Sequence, residues 1–193
     1  MNPSLETELL AATGTSYGLE FYLKKSHGRF NGWVSYTYAR SWRTVDSNLA
    51  AERINEGNRF PSNLDSPHAL NIVGDYRLGA NTKFSFVFTY NSGRPTTLPI
   101  GKFLFGNTDL ALFEDRNNVR APANHRLDLS LQFKIPSKHK ALDGNWTLAV
   151  YNAYGRNNPF SVFFQDLNGL PPQAYKLAIV GSPFPTLSYE FEF

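Results

Sequence analysis

Four histidines and no cysteine limit the chemistry that this chain of 193 residues can offer. The lack of cysteine excludes disulfides and thiolate metal sites. His27 and His139 fall in short polar turns, where an exposed surface role is the usual one. His68 and His125 each begin a strand after a long loop, which would bring them near one another, but no H-x-H or E-x-x-H spacing accompanies them. The sequence therefore predicts no metal site.

Asp65, Ser66 and His68 together have the residue types of a hydrolytic triad. Polar residues at the start of a strand produce such a grouping by chance, and the chain has no G-x-S-x-G motif. It also has no glycine-rich phosphate loop. We therefore predict that the protein is not an enzyme, that it has no catalytic residues and that it holds no cofactor.

The segment 95–123 is the best candidate for contact with a ligand. It joins the apolar PIGKFLF to the charged DRNNVR. Arginine binds carboxylates or phosphates bidentately, and aromatic rings stack on sugars or chelate rings. In the alternative that we favour, the arginines brace the loop against Glu114 and Asp115. The candidates for ligand contact are Phe103, Phe105, Arg116 and Arg120.

Period-two alternation of apolar and polar residues recurs along the chain and predicts an all-β protein. It is clear in YGLEFYLK, TKFSFVFTY, RLDLSLQFKI and TLSYEFEF. A helical spacing would scatter the same apolar residues around the helix axis. In TKFSFVFTY, one face carries Phe84, Phe86, Phe88 and Tyr90, and the other carries Lys83, Ser85, Val87 and Thr89.

Seven strands are predicted, and their connectors alternate between short and long. The strands are 15–26, 29–43, 67–79, 82–94, 124–136, 145–165 and 174–193. The short connectors are 26–29, 78–82 and 137–145, and the long ones are 44–66, 95–123 and 166–173. All long connectors then lie at one end, as in outer-membrane barrels with short periplasmic turns and long extracellular loops. Pro183 and Pro185 each remove a ladder donor and predict a kink or a bulge in the last strand.

Composition agrees with a transmembrane β-barrel. Aromatic residues make up 15% of the chain and hydrophobic residues 41%, yet no run approaches the ~20 apolar residues of a membrane helix. Such a composition is expected when only every second strand residue faces lipid. A soluble β-sandwich or β-barrel remains compatible with it. The net charge of +3 comes from dispersed residues, so we predict no nucleic-acid binding.

Alternation also assigns charged side chains to a polar lumen and aromatic rings to the membrane interfaces. Opposite charges on neighbouring strands would stabilise the lumen by ~0.2–1 kcal/mol per pair, or would contact a plug domain. The lumenal charges are Glu20, Lys24, Asp75, Arg77, Asp128 and Lys134. The interfacial aromatic residues are Trp33, Tyr36, Tyr38, Trp42, Trp146, Tyr151 and Tyr154.

Five segments in succession carry a resemblance to a known family. They are YGLEFYLKKSHGRFNGWVSYTYARS, FPSNLDSPHALNIVGDYRL, FTYNSGRPTTLP, DRNNVRAPANHRLDLSL and the terminal LSYEFEF. The succession covers nearly all of 14–193 and resembles the late barrel of TonB-dependent receptors, in particular the subgroup with an N-terminal carboxypeptidase-regulatory-like domain. YNAYGRNNPFSVFF lies where such receptors carry an N-L-F-D-x-x-Y-like segment, and departs from that wording.

The resemblance implies energy-coupled nutrient uptake at the cell outer membrane, with this chain as the C-terminal barrel segment. Outer-membrane lipid would surround it, and the terminal Phe193 would be the signal for the barrel-assembly machinery. Its further partners would be the plug domain and remaining strands of the full-length receptor, and the TonB complex acting through segments absent here.

We interpret 1–193 as a single partial β-barrel domain, because it shows neither a signal peptide nor a plug domain. Seven strands cannot close a wide barrel, so an open curved sheet with free edges at 15–26 and 174–193 is expected. One alternative is a complete small outer-membrane barrel, a pore, adhesin or structural protein, with 3–12 as an eighth strand. The other is a soluble β-barrel that binds a ligand.

Overall fold

The structure, a computed structural model, describes residues 9–135, 144–165 and 173–191 and is built almost entirely of strands. Two short 3-10 turns, Ala50–Glu52 and Asn55–Gly57, interrupt the first long connector. The strands within the described ranges are β1 (Thr13–Lys25), β2 (Phe30–Thr44), β3 (Phe60–Pro61), β4 (His68–Arg77), β5 (Thr82–Asn91), β6 (Pro95–Thr96), β7 (Pro99–Phe105), β8 (Thr108–Phe113), β9 (Val119–Arg120), β10 (Asn124–Ile135), β11 (Gly144–Tyr151), β12 (Ser161–Gln165), β13 (Gln173–Leu177) and β14 (Phe184–Phe191).

Seven long strands form one open antiparallel sheet in the order β1-β2-β4-β5-β10-β11-β14, and the two-residue strand β3 joins it by pairing with β2. Each pairs with the next long strand along the chain, so every connection in the sheet is a hairpin connection. The all-β antiparallel meander and its open form are therefore confirmed. Within the described ranges β1 and β14 are the two edges and do not pair with each other.

The predicted strands 145–165 and 174–193 are wrong in their lengths, because each is broken into two. β11 ends at Tyr151, where Asn152 adopts a left-handed φ of 54° and Gly155 one of 64°. On the returning side the break lies between Leu177 and Phe184, just before which Pro183 cannot donate to a ladder. The outer halves, β12 and β13, pair with each other as a separate hairpin. Pro185 lies inside β14, which as an edge strand tolerates proline.

The segment 95–123 was expected to be a loop but contains a hairpin of its own, β7–β8. Its turn is Gly106–Asn107, and Gly106 has a left-handed φ of 60°. A Gly-Asn pair between two apolar runs is a recognised hairpin signal, so this hairpin could have been predicted from the sequence. The connectors 137–145 and 166–173 fall largely on 136–143 and 166–172, which lie outside the described residues, as do His139 and Phe193.

Register gives the sheet one apolar face and one polar face. Residues directly opposite one another in an antiparallel pair lie on the same face, so Leu70, Tyr90 and His125 share a face, as do Phe86 and Leu129. The apolar face includes Leu19, Phe21, Leu23, Val34, Tyr36, Leu70, Ile72, Phe84, Phe86, Phe88, Leu127, Leu129, Leu131, Leu148, Val150 and Leu187. The polar face includes Glu20, Ser35, Asn71, Asp75, Lys83, Ser85, Asp128, Ser130, Gln132, Thr147 and Glu190.

No second layer covers the apolar face within the described part of the chain. The only buried hydrophobic residues there are Val45 and Phe60, while Leu19 is 71% exposed and Leu187 is 63% exposed. The accessible surface is 13998 Å², against about 9,300 Å² expected for a soluble monomer of this mass. The described helices include none with the length and hydropathy to cross a membrane.

Gly74 lies on the apolar face at a position where a larger side chain would collide with a neighbouring ring. An added Cβ on Gly74 would lie 2.4 Å from the Phe86 ring. Phe86 on β5 is the register partner of Gly74 on β4, so its ring covers the glycine and supplies the apolar surface that the glycine lacks.

Candidate functional site

Three long connections, 45–67, 92–123 and 152–183, leave the sheet at the same end, which we call the long-loop end. The short turns after β1 and β4 lie at the other end, the short-turn end. This sorting follows from hairpin connections, because successive turns of a meander alternate between the ends. Hydrogen bonds between the long connections fix the shape of the long-loop end and determine which of its side chains remain free for a ligand.

Asp65 is the centre of the contacts between the first two long connections. Its side chain has 0% exposed surface, and it accepts from Arg40 Nε at 3.1 Å and from Arg120 at 2.5 Å. The backbone N–H of Ser41 donates to the same carboxylate at 2.7 Å. Burial by itself would raise the pKa of Asp65, but these hydrogen bonds and the arginine charges outweigh it and hold the pKa below its ordinary value.

The guanidinium of Arg120, a predicted ligand residue, is occupied by hydrogen bonds within the long-loop end. Besides the Asp65 carboxylate, its guanidinium donates to the backbone carbonyls of Asp65 at 2.7 Å and Gly93 at 2.6 Å. The bracing role expected for it is therefore present, but the acid is Asp65 and not Glu114 or Asp115. Arg116 is held through its backbone, whose N–H and carbonyl both bond the Asn55 side chain, at 2.7 Å and 3.0 Å.

Two buried asparagines in left-handed conformations fix the turns of the long connections. Asn117, with φ 59°, donates to the Pro61 carbonyl and to Asn63 Oδ1, both at 2.7 Å. Asn152, with φ 54° and 0% exposure, donates to the Arg156 carbonyl and accepts from the Arg156 N–H. Asparagine is one of the few residues that tolerates this backbone conformation, so each residue supplies both the turn and its hydrogen bonds.

The two predicted ligand-side aromatic residues lie on the β7–β8 hairpin and face solvent. Phe103 is 45% exposed and Phe105 is 72% exposed. Phe103 is in register with Leu110, and Gly101 with Leu112, so one side of this hairpin is apolar. The structure thus separates the predicted site: Phe103 and Phe105 remain available for contact, whereas Arg120 does not.

A polar groove of about 690 Å³ lies on the polar face at the long-loop end and was not predicted. Its cationic lining residues are Arg94 and Arg126, accompanied by the amides of Asn71, Asn91 and Asn124. Arg126 packs over the Tyr151 ring at 4.0 Å and pairs with Asp128 at 2.9 Å. The alternation of strand β10 places Arg126 on this face, but only the tertiary structure brings the β12–β13 hairpin over the groove.

The histidines of the long-loop end pair with tyrosines and not with one another. His68 Nδ1 lies 2.8 Å from the Tyr36 hydroxyl, and His125 Nδ1 lies 2.6 Å from the Tyr154 hydroxyl. Both clusters belong to the apolar face, on β4 and β10, with β5 between them. Within the described ranges no group of three or more His, Cys, Asp or Glu residues is arranged to hold a metal ion.

The triad-like grouping of Asp65, Ser66 and His68 does not assemble. Asp65 is engaged by arginines, and Ser66 Oγ donates to the Ser92 carbonyl at 2.9 Å. His68 bonds Tyr36 instead of either neighbour. The three side chains therefore have separate partners, and their closeness in sequence does not create a nucleophile and base.

The predicted faces of the charges and aromatic rings are mostly confirmed by register. Glu20, Asp75, Asp128 and Lys134 lie on the polar face, as expected. Trp33 and Tyr151 are exceptions to the interfacial interpretation, because they too lie on the polar face, opposite Val73 and Phe184. The apolar face carries Tyr36, Tyr38, Trp42 and Trp146.

Comparison with known proteins gave no match. No protein-family model matches the chain, and no curated protein or solved structure matches it at a significant level. The faces of the sheet and the geometry of its long-loop end are therefore the observations from which a function can be inferred.

Proposed function

We propose that this chain is the C-terminal barrel segment of a TonB-dependent receptor, spans the outer membrane and takes part in energy-coupled nutrient uptake without catalysing a reaction. The observation that carries this proposal is the apolar face of the seven-stranded sheet, which no layer of the described chain covers. A soluble protein buries such a face against a second layer. In a barrel wall the same face contacts lipid and the polar face lines the lumen.

The distribution of aromatic rings along the apolar face agrees with a lipid-spanning band. At the long-loop end stand the Tyr36–His68 and His125–Tyr154 pairs. Toward the short-turn end Trp146 lies 4.7 Å from Tyr189. Between them the strands carry aliphatic and phenylalanine side chains, from Thr82 to Tyr90 about 27 Å at ~3.4 Å per residue. Amphipathic rings prefer the two interfaces of a bilayer, and this length suits its apolar interior.

In this proposal the long-loop end faces the outside and receives the nutrient. The braced connections give it a fixed shape, and the groove lined by Arg94 and Arg126 offers cationic and amide donors. Phe103 and Phe105 add exposed rings on the β7–β8 hairpin. These groups suit a ligand that combines anionic or hydroxyl groups with a flat apolar surface.

The closed small barrel has less support. A small barrel closed by the described strands requires continuous backbone pairing between β1 and β14, and these strands are the free edges of the described sheet. Free edges in lipid leave backbone groups unsatisfied at several kcal/mol each. We therefore propose that further strands of the same receptor complete the wall on both sides, together with a plug domain inside.

Flotation with lipid vesicles tests the membrane proposal directly. The proposed full-length receptor, in which further strands cover both edges of this segment, should float with lipid and resist alkaline extraction after it is diluted from denaturant into vesicles. In plain buffer without lipid it should aggregate, because its apolar face has no partner. A monodisperse, folded monomer in plain buffer would contradict the proposal and favour the soluble ligand-binding barrel.

A further inference from the structure

Cationic side chains lie on neighbouring strands at the short-turn end of the polar face. Arg77 on β4 is the direct partner of Lys83 on β5. The Arg77 N–H donates to the Arg29 carbonyl at 2.9 Å, which continues the β2–β4 register by one pair. Lys134 on β10 lies two residues beyond Gln132, the partner of Lys83. We call Arg29, Arg77, Lys83 and Lys134 the cationic row.

The direct opposition of Arg77 and Lys83 within the cationic row costs stability unless an anion accompanies them. Like charges directly opposite one another in a sheet repel. Within the described residues, no carboxylate is in register with Arg77 or Lys83. Asp75, the next residue of β4 on this face, accepts from Ser85 Oγ at 2.5 Å.

A pocket of about 220 Å³ opens beside the row. Three of its lining residues are cationic and three carry side-chain amides, and none of them is acidic. Amide groups can donate to an anion without adding charge. A volume of this size admits a small anion with several waters, each of which occupies about 30 Å³. The pocket is lined by Arg77, Lys83, Lys134, Asn81, Gln132 and Asn145, with the turn residues Gly79, Ala80 and Thr82.

We propose that this pocket binds a phosphate group. A phosphate monoester carries about −1.5 to −2 charges at neutral pH, so it neutralises the row better than one carboxylate does. The planar guanidinium of Arg77 is suited to bidentate contact with phosphate oxygens, and Lys83 and Lys134 add point charges. The proposal goes beyond the receptor role and holds whether or not the apolar face contacts lipid.

Equilibrium dialysis with radiolabelled inorganic phosphate tests the proposal. The whole chain is refolded in an amine-oxide detergent, which contains no phosphate, at about pH 8, where a monoester with a second pKa near 6 is a dianion. Binding should saturate at one phosphate per chain at constant ionic strength. Lys83→Gln should weaken it about tenfold or more, the loss of one charged hydrogen bond. Lys102→Gln, on the β7–β8 hairpin at the opposite end, should leave it unchanged.

Competition identifies the source of the phosphate group. If unlabelled glycerol phosphate displaces the label as well as inorganic phosphate does, the pocket accepts esters carried by larger molecules. If only inorganic phosphate does so, the ligand is the free anion, and either result supports the site. Displacement by acetate at equal concentration would overturn it, since a site that selects a dianion discriminates against a monovalent carboxylate.

Stability measurements separate binding from a folding defect. Without phosphate, Lys83→Gln should be at least as stable as the unmodified chain, because it removes a like-charge contact. With phosphate, the unmodified chain should gain stability that Lys83→Gln and Arg77→Gln lack. Equal gains in all three proteins would reflect the general stabilising effect of phosphate salts and would overturn the proposal. Flotation with vesicles is a separate readout, so failure of one proposal leaves the other intact.

Discussion

The carboxylate of Asp65 accepts a hydrogen bond at 2.5 Å from the guanidinium of Arg120, 55 residues later in the chain. The same carboxylate accepts from Arg40 at 3.1 Å, so it ties β2 and the first two long connections together. Because its side chain has no exposed surface, removing it leaves partly buried guanidinium groups without their counter-charge.

Asp65→Asn should therefore destabilise the chain by about 3 kcal/mol, the usual cost of breaking a buried ion pair by removing one partner. The measurement is the urea midpoint of the chain refolded in detergent. Asp109→Asn is the matched control, because Asp109 makes only a 4.0 Å contact with Lys102 and its side chain is 63% exposed. Equal midpoints for the two variants would show that the Asp65 contacts contribute little.

The stability that Asp65 contributes should depend on pH in a defined direction. Its pKa is lowered in the folded chain, below the value of about 3.9 for an unfolded aspartate. Its contribution is therefore fully present above about pH 3.9 and is lost as the pH falls through the lower, folded-state pKa. Urea midpoints of the unmodified chain and Asp65→Asn should converge in strong acid. A constant difference down to low pH would contradict the assigned shift.

Substitution of Asn152 should lower the stability of the chain through both its left-handed backbone conformation and its side-chain hydrogen bonds. Asn152→Ala loses the hydrogen bonds with Arg156 and places at positive φ a residue that tolerates this conformation less well than asparagine does, at about 3 kcal/mol in all. Asn152→Gly loses the bonds but keeps the conformation, so it should recover about 1 kcal/mol of that loss. Exposed Asn48 is the control for alanine substitution. Urea midpoints check the order, and a glycine variant less stable than alanine would contradict it.

Adjacent residues on opposite faces give a matched test of lipid contact. Leu129→Arg introduces a charge into the apolar face, and Ser130→Arg introduces the same charge into the polar face. At the middle of a bilayer the first should cost about 2–4 kcal/mol, whereas the second should be tolerated. Flotation with vesicles measures the difference. If both variants insert equally, the apolar face does not contact lipid.

Cysteine labelling should distinguish the two ends of the sheet on intact cells. The chain has no cysteine, so each single substitution introduces the only thiol of this segment, and the proposed full-length receptor without the substitution gives the background labelling. Asn48→Cys and Asn107→Cys, in the long connections, should react with an impermeant maleimide. Ala80→Cys, in the turn between β4 and β5, should react only after the outer membrane is made permeable. The reverse pattern would invert the proposed orientation.

Alternation in the sequence was sufficient to predict the sheet and its two faces. A side-chain period of two is a local property of extended backbone, so segments such as TKFSFVFTY and RLDLSLQFKI indicate strands without knowledge of their neighbours. Connector lengths were sufficient for the hairpin order, because each strand simply pairs with the next. The break after Tyr151 was missed, since a left-handed asparagine leaves no periodic signal in the sequence.

What the tertiary structure decided is which distant residues meet. From the sequence, Glu114 and Asp115 were the expected partners of Arg120, but in the folded chain Arg120 pairs with Asp65, because the long connections return to the same end of the sheet. The opposition of Arg77 and Lys83 likewise depends on the register set by a single short turn. Local patterns determine which face a side chain occupies, whereas register and the meeting of remote loops depend on the whole sheet being in place.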